Sequence, residues 1–251
     1  MASSKPTIVL VQGSFQTPPV YAKLFTGLRD AGYPVIHPPL PSCSDVHSDD
    51  LTSRTLTDDA LVITKAITQL VEEEKYVVVA MHSYGGIVGS EAIPESLTRT
   101  ARQARGQKGG VIHLFYYAAM ALKKGQSILG ALGQSPNNDI QPDGRSWIKN
   151  GARTLYNDLP AEEAALWESR LIPQSHLVQT TCVTRAAYEY LPSTYLVCEN
   201  DQVLAPQHQE MFAALVQAEV VRCSAGHSPM LSQPAMLVER IAAVADRVSA
   251  V

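Results

Sequence analysis

Ser83, His227 and Asp201 are the residues whose types and settings could do chemistry together, and that chemistry is attack on an acyl carbon. A serine hydroxyl in water is a poor nucleophile. It needs a base to take its proton and N–H donors for the developing oxyanion. Tyr76-Val-Val-Val-Ala80 is a β-branched run, and Met81-His-Ser-Tyr-Gly-Gly86 turns it directly into a helical pattern. A serine on a tight strand-to-helix turn exposes its hydroxyl, and the following N–H and the helix N-terminus face the reacting oxygen. Gly85 lets neighbouring backbone approach that turn. The same residues also suit a plain serine N-cap with a glycine packing contact.

The partners follow from where the other strands end, because doubly wound sheets carry ligand-handling residues beyond the carboxyl ends of their strands. After Tyr117 the chain reads Ala-Ala-Met-Ala-Leu-Lys-Lys124, without a carboxylate. After Cys198 it reads Glu199-Asn200-Asp201. Asp201, one step further out, has the reach for the acid; Glu199 is the alternative. Of seven histidines, His37 and His113 fall in or at strands, and His82 should point away from the hydroxyl. His47, His176 and His208 fall in loop, cap and helix. His227 follows the last strand directly, in Ser224-Ala-Gly-His-Ser-Pro-Met230, 26 residues after Asp201. That interval holds one helix and one return strand, and the order Ser, Asp, His suits this architecture.

The elements that must position these groups alternate between strand-length apolar runs and helical patterns, which implies an α/β fold with a mostly parallel sheet flanked by helices. Strands are expected at Thr7–Gln12, Tyr33–His37, Tyr76–Ala80, Val111–Tyr117, Thr194–Cys198 and Glu219–Cys223. Helices are expected around Tyr21–Ala31, over Leu56–Val71, from the serine turn to about Ile93, and around Pro206–Gln217 and Pro234–Val248. Leu56, Ala60, Ile63, Ile67, Leu70 and Val71 mark one amphipathic face, with Asp58 and Asp59 at its dipole-favoured start. Residues 122–190 break the alternation and read as an inserted helical cap on a core of 1–121 and 191–251. Cap residues Leu129, Leu132, Trp147, Tyr156, Trp167 and Leu171 promise an apolar ligand site. Trp147, Trp167 and His176 are the candidate substrate contacts, with ordinary cap packing as the competing role.

His82-Ser-Tyr-Gly-Gly86, Cys198-Glu-Asn-Asp201 and Gly226-His-Ser-Pro-Met230 resemble the small capped α/β-hydrolases, among them plant methylesterases, hydroxynitrile lyases and fungal biosynthetic enzymes. The resemblance covers nearly the whole chain. It implies the α/β-hydrolase fold and an oxyanion hole made by the N–H of Tyr84 and that of Ser14, with Phe15 as second choice. Gln12 stands in place of the usual histidine before Gly13. Met81 stands where the elbow usually has a small residue, so the turn must find room for it.

A formal net charge of −4 and 18% charged residues give no reason to expect nucleic acid or an anionic membrane as partner. Arg99, Arg102, Arg105 and Lys108 read as a solvated helix end and loop. Cys43, Cys182, Cys198 and Cys223 fit neither a disulfide framework nor a zinc spacing, and the oxygens of Asn137–Asp143 match no calcium loop. No metal and no cofactor is expected. The opening Met1-Ala-Ser-Ser-Lys-Pro6 lacks the apolar core of a signal peptide, so the expected compartment is a reducing cytosol. These features imply a serine hydrolase acting through an acyl-enzyme on a small apolar ester, thioester or lactone. A variant uses the substrate's own hydroxyl to close a lactone. The other classes are a lyase, which the resembling hydroxynitrile lyases run with a lysine where Ser228 stands here, and a ligand receptor with little turnover.

Overall fold

The computed structural model describes residues 5–249, so Met1–Ser4 of the opening stretch lie outside the described residues. The chain begins β1 (Thr7–Val11), α1 (Ala22–Asp30), β2 (Val35–Ile36), α2 (Leu56–Glu72), β3 (Tyr76–His82), α3 (Gly85–Ala92), α4 (Arg99–Gln103) and β4 (Gly110–Tyr117). An excursion follows, with α5 (Ile128–Leu132), β5 (Asn138–Ile140), β6 (Arg145–Ile148), α6 (Gly151–Thr154), α7 (Ala161–Glu168), β7 (Gln174–Ser175) and α8 (Leu177–Thr180). It closes with β8 (Ser193–Cys198), α9 (Pro206–Leu215), β9 (Glu219–Cys223), α10 (Pro229–Ser232) and α11 (Pro234–Ser249). No helix of the described residues is long and apolar enough to cross a membrane.

The main sheet has the order β2-β1-β3-β4-β8-β9, and every neighbouring pair is parallel. Both faces are covered, which is why its strands read as continuous apolar runs rather than alternating ones. Val9, Val11, Val77, Val79 and Met81 pack on the face shared with α2 and α3, while Ile8, Leu10, Val78 and Ala80 pack on the opposite face with α1 and α11. On β4 the alternation slips after Ile112, where the register with β3 jumps from Val77–Val111 to Val78–His113. Strand order reverses between β1 and β3, so the loops after these two strands flank the switch-point crevice.

Residues 122–190, expected as a helical cap, are not simply helical. Their helices are short, and β5-β6-β7 form a separate antiparallel sheet. Within the Asn137–Asp143 stretch, Asn138–Ile140 form β5. Strands of two to four residues are too short for alternation to announce them. The basic stretch also needs correction. Arg102 is buried, its guanidinium donating to Glu72 at 2.7 Å and to the carbonyls of Val71 and Lys108 at 2.8 and 3.0 Å. Asp58 closes a capping box with Thr55 at the start of α2, whereas Asp59 points into the core.

Burial lowers His37 and His113 to about 4 and His82 well below its ordinary value. The unfolded chain therefore binds protons at these rings, between about pH 6.5 and 4, that the folded chain refuses, and stability falls as pH drops through that window. Buried Asp59, raised to about 6, opposes them. With three rings against one carboxyl, the melting temperature is expected to be lower at pH 5 than at pH 7. A thermal melt showing equal or greater stability at pH 5 would contradict neutral burial of these rings.

Candidate active site

β3 delivers its carboxyl end into the turn at Ser83, whose φ of 51° is the left-handed region a non-glycine residue seldom adopts. The turn persists because its surroundings hold it. A Cβ at Gly85 would collide with the carbonyls of Val11 and Gln12, and one at Gly86 with that of Met120. The room for Met81 comes from α3: a Cβ at Gly89 would strike the Met81 sulfur. Gly89→Ala is therefore expected to destabilise the fold by about 1–3 kcal/mol through overpacking. Met81→Ala alone should cost about 2–5 kcal/mol as a large-to-small core change. Combined, the two should cost less than their sum; an additive pair in denaturant melts would show that the residues do not compete for one space.

His227 lies in the loop after β9 and is 1% exposed. Its Nε2 stands 3.0 Å from Ser83 Oγ and its Nδ1 2.7 Å from Asp201 Oδ2. The other oxygen of Asp201 accepts the N–H groups of Val203 and Leu204, each at 2.8 Å. Gln209, fully buried on α9, accepts from the Cys198 N–H at 2.9 Å and donates to the carbonyls of Cys198 and Leu204. Its amide nitrogen also lies 3.2 Å from Asp201 Oδ2. Glu199, the alternative acid, has a half-exposed side chain 3.8 Å from Arg222. The structure thus brings Ser83, His227 and Asp201 together and leaves Glu199 outside.

The loop after β1 faces this trio. Gln12, in the position of the usual histidine, donates to the Gln16 carbonyl at 2.8 Å and so braces the loop from within. Gly13 N–H donates to Tyr21 Oη at 2.8 Å, and that hydroxyl lies 2.8 Å from His82 Nδ1. His82 Nε2 is 2.8 Å from the His227 carbonyl, which can only accept. The neutral His82 ring therefore carries its proton on Nε2, leaving Nδ1 unprotonated beside the Tyr21 hydroxyl, which also donates to Gln16 Oε1 at 2.9 Å. It turns away from the serine hydroxyl and ties two loops together. The N–H groups of Ser14, Phe15 and Tyr84 donate to no acceptor among the described residues. Tyr84 is held from behind, its hydroxyl donating to Asp59 at 2.8 Å alongside the Ser42 hydroxyl and N–H.

The cap reaches all three loops through consecutive residues that sequence reasoning did not single out as a group. Tyr156 Oη accepts from Gln16 Nε2 at 3.4 Å, Asn157 donates to the Asn200 carbonyl at 2.9 Å, and Asp158 accepts the Gly226 N–H at 2.6 Å.

Ser83 and His227 open onto a cavity of about 280 Å³, walled largely by apolar side chains such as Phe15, Met120, Ile148, Leu155 and Phe212. Of the expected substrate contacts, Trp147, Trp167 and His176 are not among its lining residues. Trp147 is turned outward by the alternation of β6, while its neighbour Ile148 faces in. Trp167 is partly buried against the hydrophobic core, with Arg170 over its ring. His176 precedes α8, its N–H bound to the Gly144 carbonyl at 2.9 Å. Of the apolar cap residues expected, Leu132 lines the cavity, whereas Leu129, Tyr156 and Leu171 do not.

A family model described as the alpha/beta hydrolase family matches residues 8–240. The chain belongs to that family. It is 31% identical over 245 residues to the alpha/beta hydrolase nvfD of Aspergillus novofumigatus, covering 94% of this chain and 95% of that one. Methyl jasmonate esterase 1 of Vitis vinifera is 26% identical over 241 residues, covering 90% and 91%. Among solved structures, a pyrethroid hydrolase from Sphingobium faniae superposes with a TM-score of 0.72 at 20% identity, covering 96% of this chain and 97% of that one. At that identity the likeness speaks for the fold, and the family matches the resemblance carried by the elbow, acid and histidine motifs.

Proposed function

We propose that this α/β-hydrolase is a serine hydrolase that cleaves uncharged carboxylic esters through an acyl-enzyme. The observation that carries the reading is the unbroken relay from Ser83 Oγ through His227 to Asp201, at 3.0 and 2.7 Å, opening onto an apolar cavity. Ser83 Oγ bonds to the carbonyl carbon while its proton passes to His227 Nε2, and the carbonyl oxygen takes up the negative charge. The N–H of Tyr84 and that of Ser14 or Phe15 receive that charge, which fits their lack of a protein acceptor. The carbon–oxygen bond to the alcohol then breaks, and His227 returns the proton to the leaving oxygen. Water, deprotonated by His227, releases the acid and restores Ser83.

The charge of the substrate follows from the lining, which among the described residues includes no Asp, Glu, Lys or Arg. A free carboxylate or phosphate inside the cavity would be desolvated without a counter-charge. A lyase that must receive an anion is disfavoured for the same reason. Ser228, where the resembling lyases have lysine, is fully buried, with its hydroxyl 3.2 Å from Gln16 Nε2. The ester bond is also what the name of the Vitis relative specifies for that protein. Intact-protein mass spectrometry after exposure to aryl esters and acyl thioesters tests the reading. One acyl mass is expected, mapped to the peptide holding Ser83; turnover with the acyl group on any other residue would overturn it.

A further inference from the structure

Gln179 sits on α8 within the cap, lines the cavity and is only 6% exposed. Its carboxamide has no hydrogen-bond partner among the described residues, although its own N–H is tied back to the His176 carbonyl at 3.0 Å. The other polar side chains of the lining differ from it. Ser135, Asn137 and Asn138 are partly exposed, and Gln134 and His208 are exposed. Ser14, Ser83 and His227 belong to the reacting end. Gln179 is therefore the one buried carboxamide in the lining, set among apolar neighbours. Its amide atoms are not among the fully enclosed, unpaired polar atoms of the described residues, so they reach the cavity space, where a bound molecule can meet them.

We infer that Gln179 is a specificity-determining residue, hydrogen-bonding a second, uncharged oxygen of the substrate at a distance from the ester that Ser83 attacks. The class of substrate is a neutral oxygenated ester, one bearing a ketone or hydroxyl in addition to the scissile group. Three features lead there. The carboxamide offers both donors and an acceptor, so it serves a carbonyl or a hydroxyl. The cavity supplies no charge, so an ionised group is not what it meets. Apart from Ser83 and His227, the other buried residues of the wall, Phe15, Leu155, Val178 and Phe212, are apolar, so a plain hydrocarbon ester would fill that part of the space and leave Gln179 unmatched. Sites of this kind discriminate strongly, because the analogue lacking the oxygen strands a buried polar group. The inference rests on the reading of Ser83 only for where the ester lies.

The test is equilibrium binding to the Ser83→Ala protein, which needs no turnover. Calorimetry would compare ethyl hexanoate with ethyl 3-oxo-, 4-oxo- and 5-oxohexanoate, before and after adding Gln179→Met, a substitution of similar length. At least one oxo ester is expected to bind about 10-fold more tightly than ethyl hexanoate, the gain of one well-placed hydrogen bond. In the Gln179→Met protein that advantage should shrink to about 2-fold or less, with ethyl hexanoate binding unchanged or tighter. A merely structural role would weaken all four ligands together, and that result would overturn the inference. So would an oxo advantage that survives the substitution, or no advantage at any position. Circular dichroism checks folding, and Gln179→Leu repeats the comparison if the methionine variant is unstable. Absence of acylation in the unmodified protein, with the binding difference intact, would count against the hydrolase reading and leave this one standing.

Discussion

Ser83→Ala is expected to lower kcat by about 10⁴-fold or more while leaving the fold and ligand binding nearly unchanged. The size follows from cooperativity: once the nucleophile is gone, His227 and Asp201 have nothing to activate, and only binding and the oxyanion donors still act. The survival of the fold follows from local structure. Among the described residues, the only hydrogen bond made by the Ser83 side chain is to His227 Nε2. Alanine at φ 51° carries the same Cβ penalty as serine, so the backbone strain is not altered. The decisive measurement is kcat on an activated aryl ester together with a denaturant melt. More than a tenth of the wild-type rate, in a folded protein free of wild-type contamination, would rule out Ser83 as nucleophile.

Asp201→Asn is expected to lower kcat by about 10⁴-fold, and Glu199→Gln to leave it within about 2-fold. Two backbone N–H groups, from Val203 and Leu204, donate to Asp201 Oδ1 at 2.8 Å. In the asparagine variant the amide oxygen must stay on those donors, which turns the NH₂ toward His227 Nδ1. That nitrogen must then be an acceptor, so the ring's proton moves to Nε2, the atom that has to accept from Ser83. The histidine is left in the tautomer that cannot act as base, and the corresponding serine-protease change costs about 10⁴ in kcat. Glu199 has no such connection; its half-exposed carboxylate lies 3.8 Å from Arg222, and an exposed pair of that kind contributes little. Both variants should be assayed above about pH 7, where an ordinary histidine is mostly neutral. A larger loss from Glu199→Gln than from Asp201→Asn, with both proteins folded, would move the acid to position 199.

Much of this was legible in the chain because the signals are local. The runs expected at Thr7–Gln12, Tyr76–Ala80 and Thr194–Cys198 are each apolar enough to imply burial on both faces, as in a covered parallel sheet. Chain order then sends Ser83, Asp201 and His227 to the same edge, since each follows a strand of one parallel sheet. The strand-to-helix context of Ser83 is likewise a local property of the backbone.

What the tertiary structure decided depends on contacts between segments far apart in sequence. Asp201 and Glu199 occupy one loop with similar chemistry, and only the donors from Val203, Leu204 and Gln209 fix which of them turns to His227. Asp59 carried the local mark of a helix start, yet its partners, Ser42 and Tyr84, lie 17 and 25 residues away. Gly89 makes the space for Met81, a relation invisible in either residue alone. The cap was least legible. Its elements are too short for periodicity to set which side faces inward, so Trp147 and Trp167 drew attention by size while Ile148 and Gln179 line the cavity. Large aromatic side chains signal burial somewhere. Which surface they bury against is set by the rotation of each short element on its neighbours, and that rotation is a property of the packed molecule, not of the residues in order.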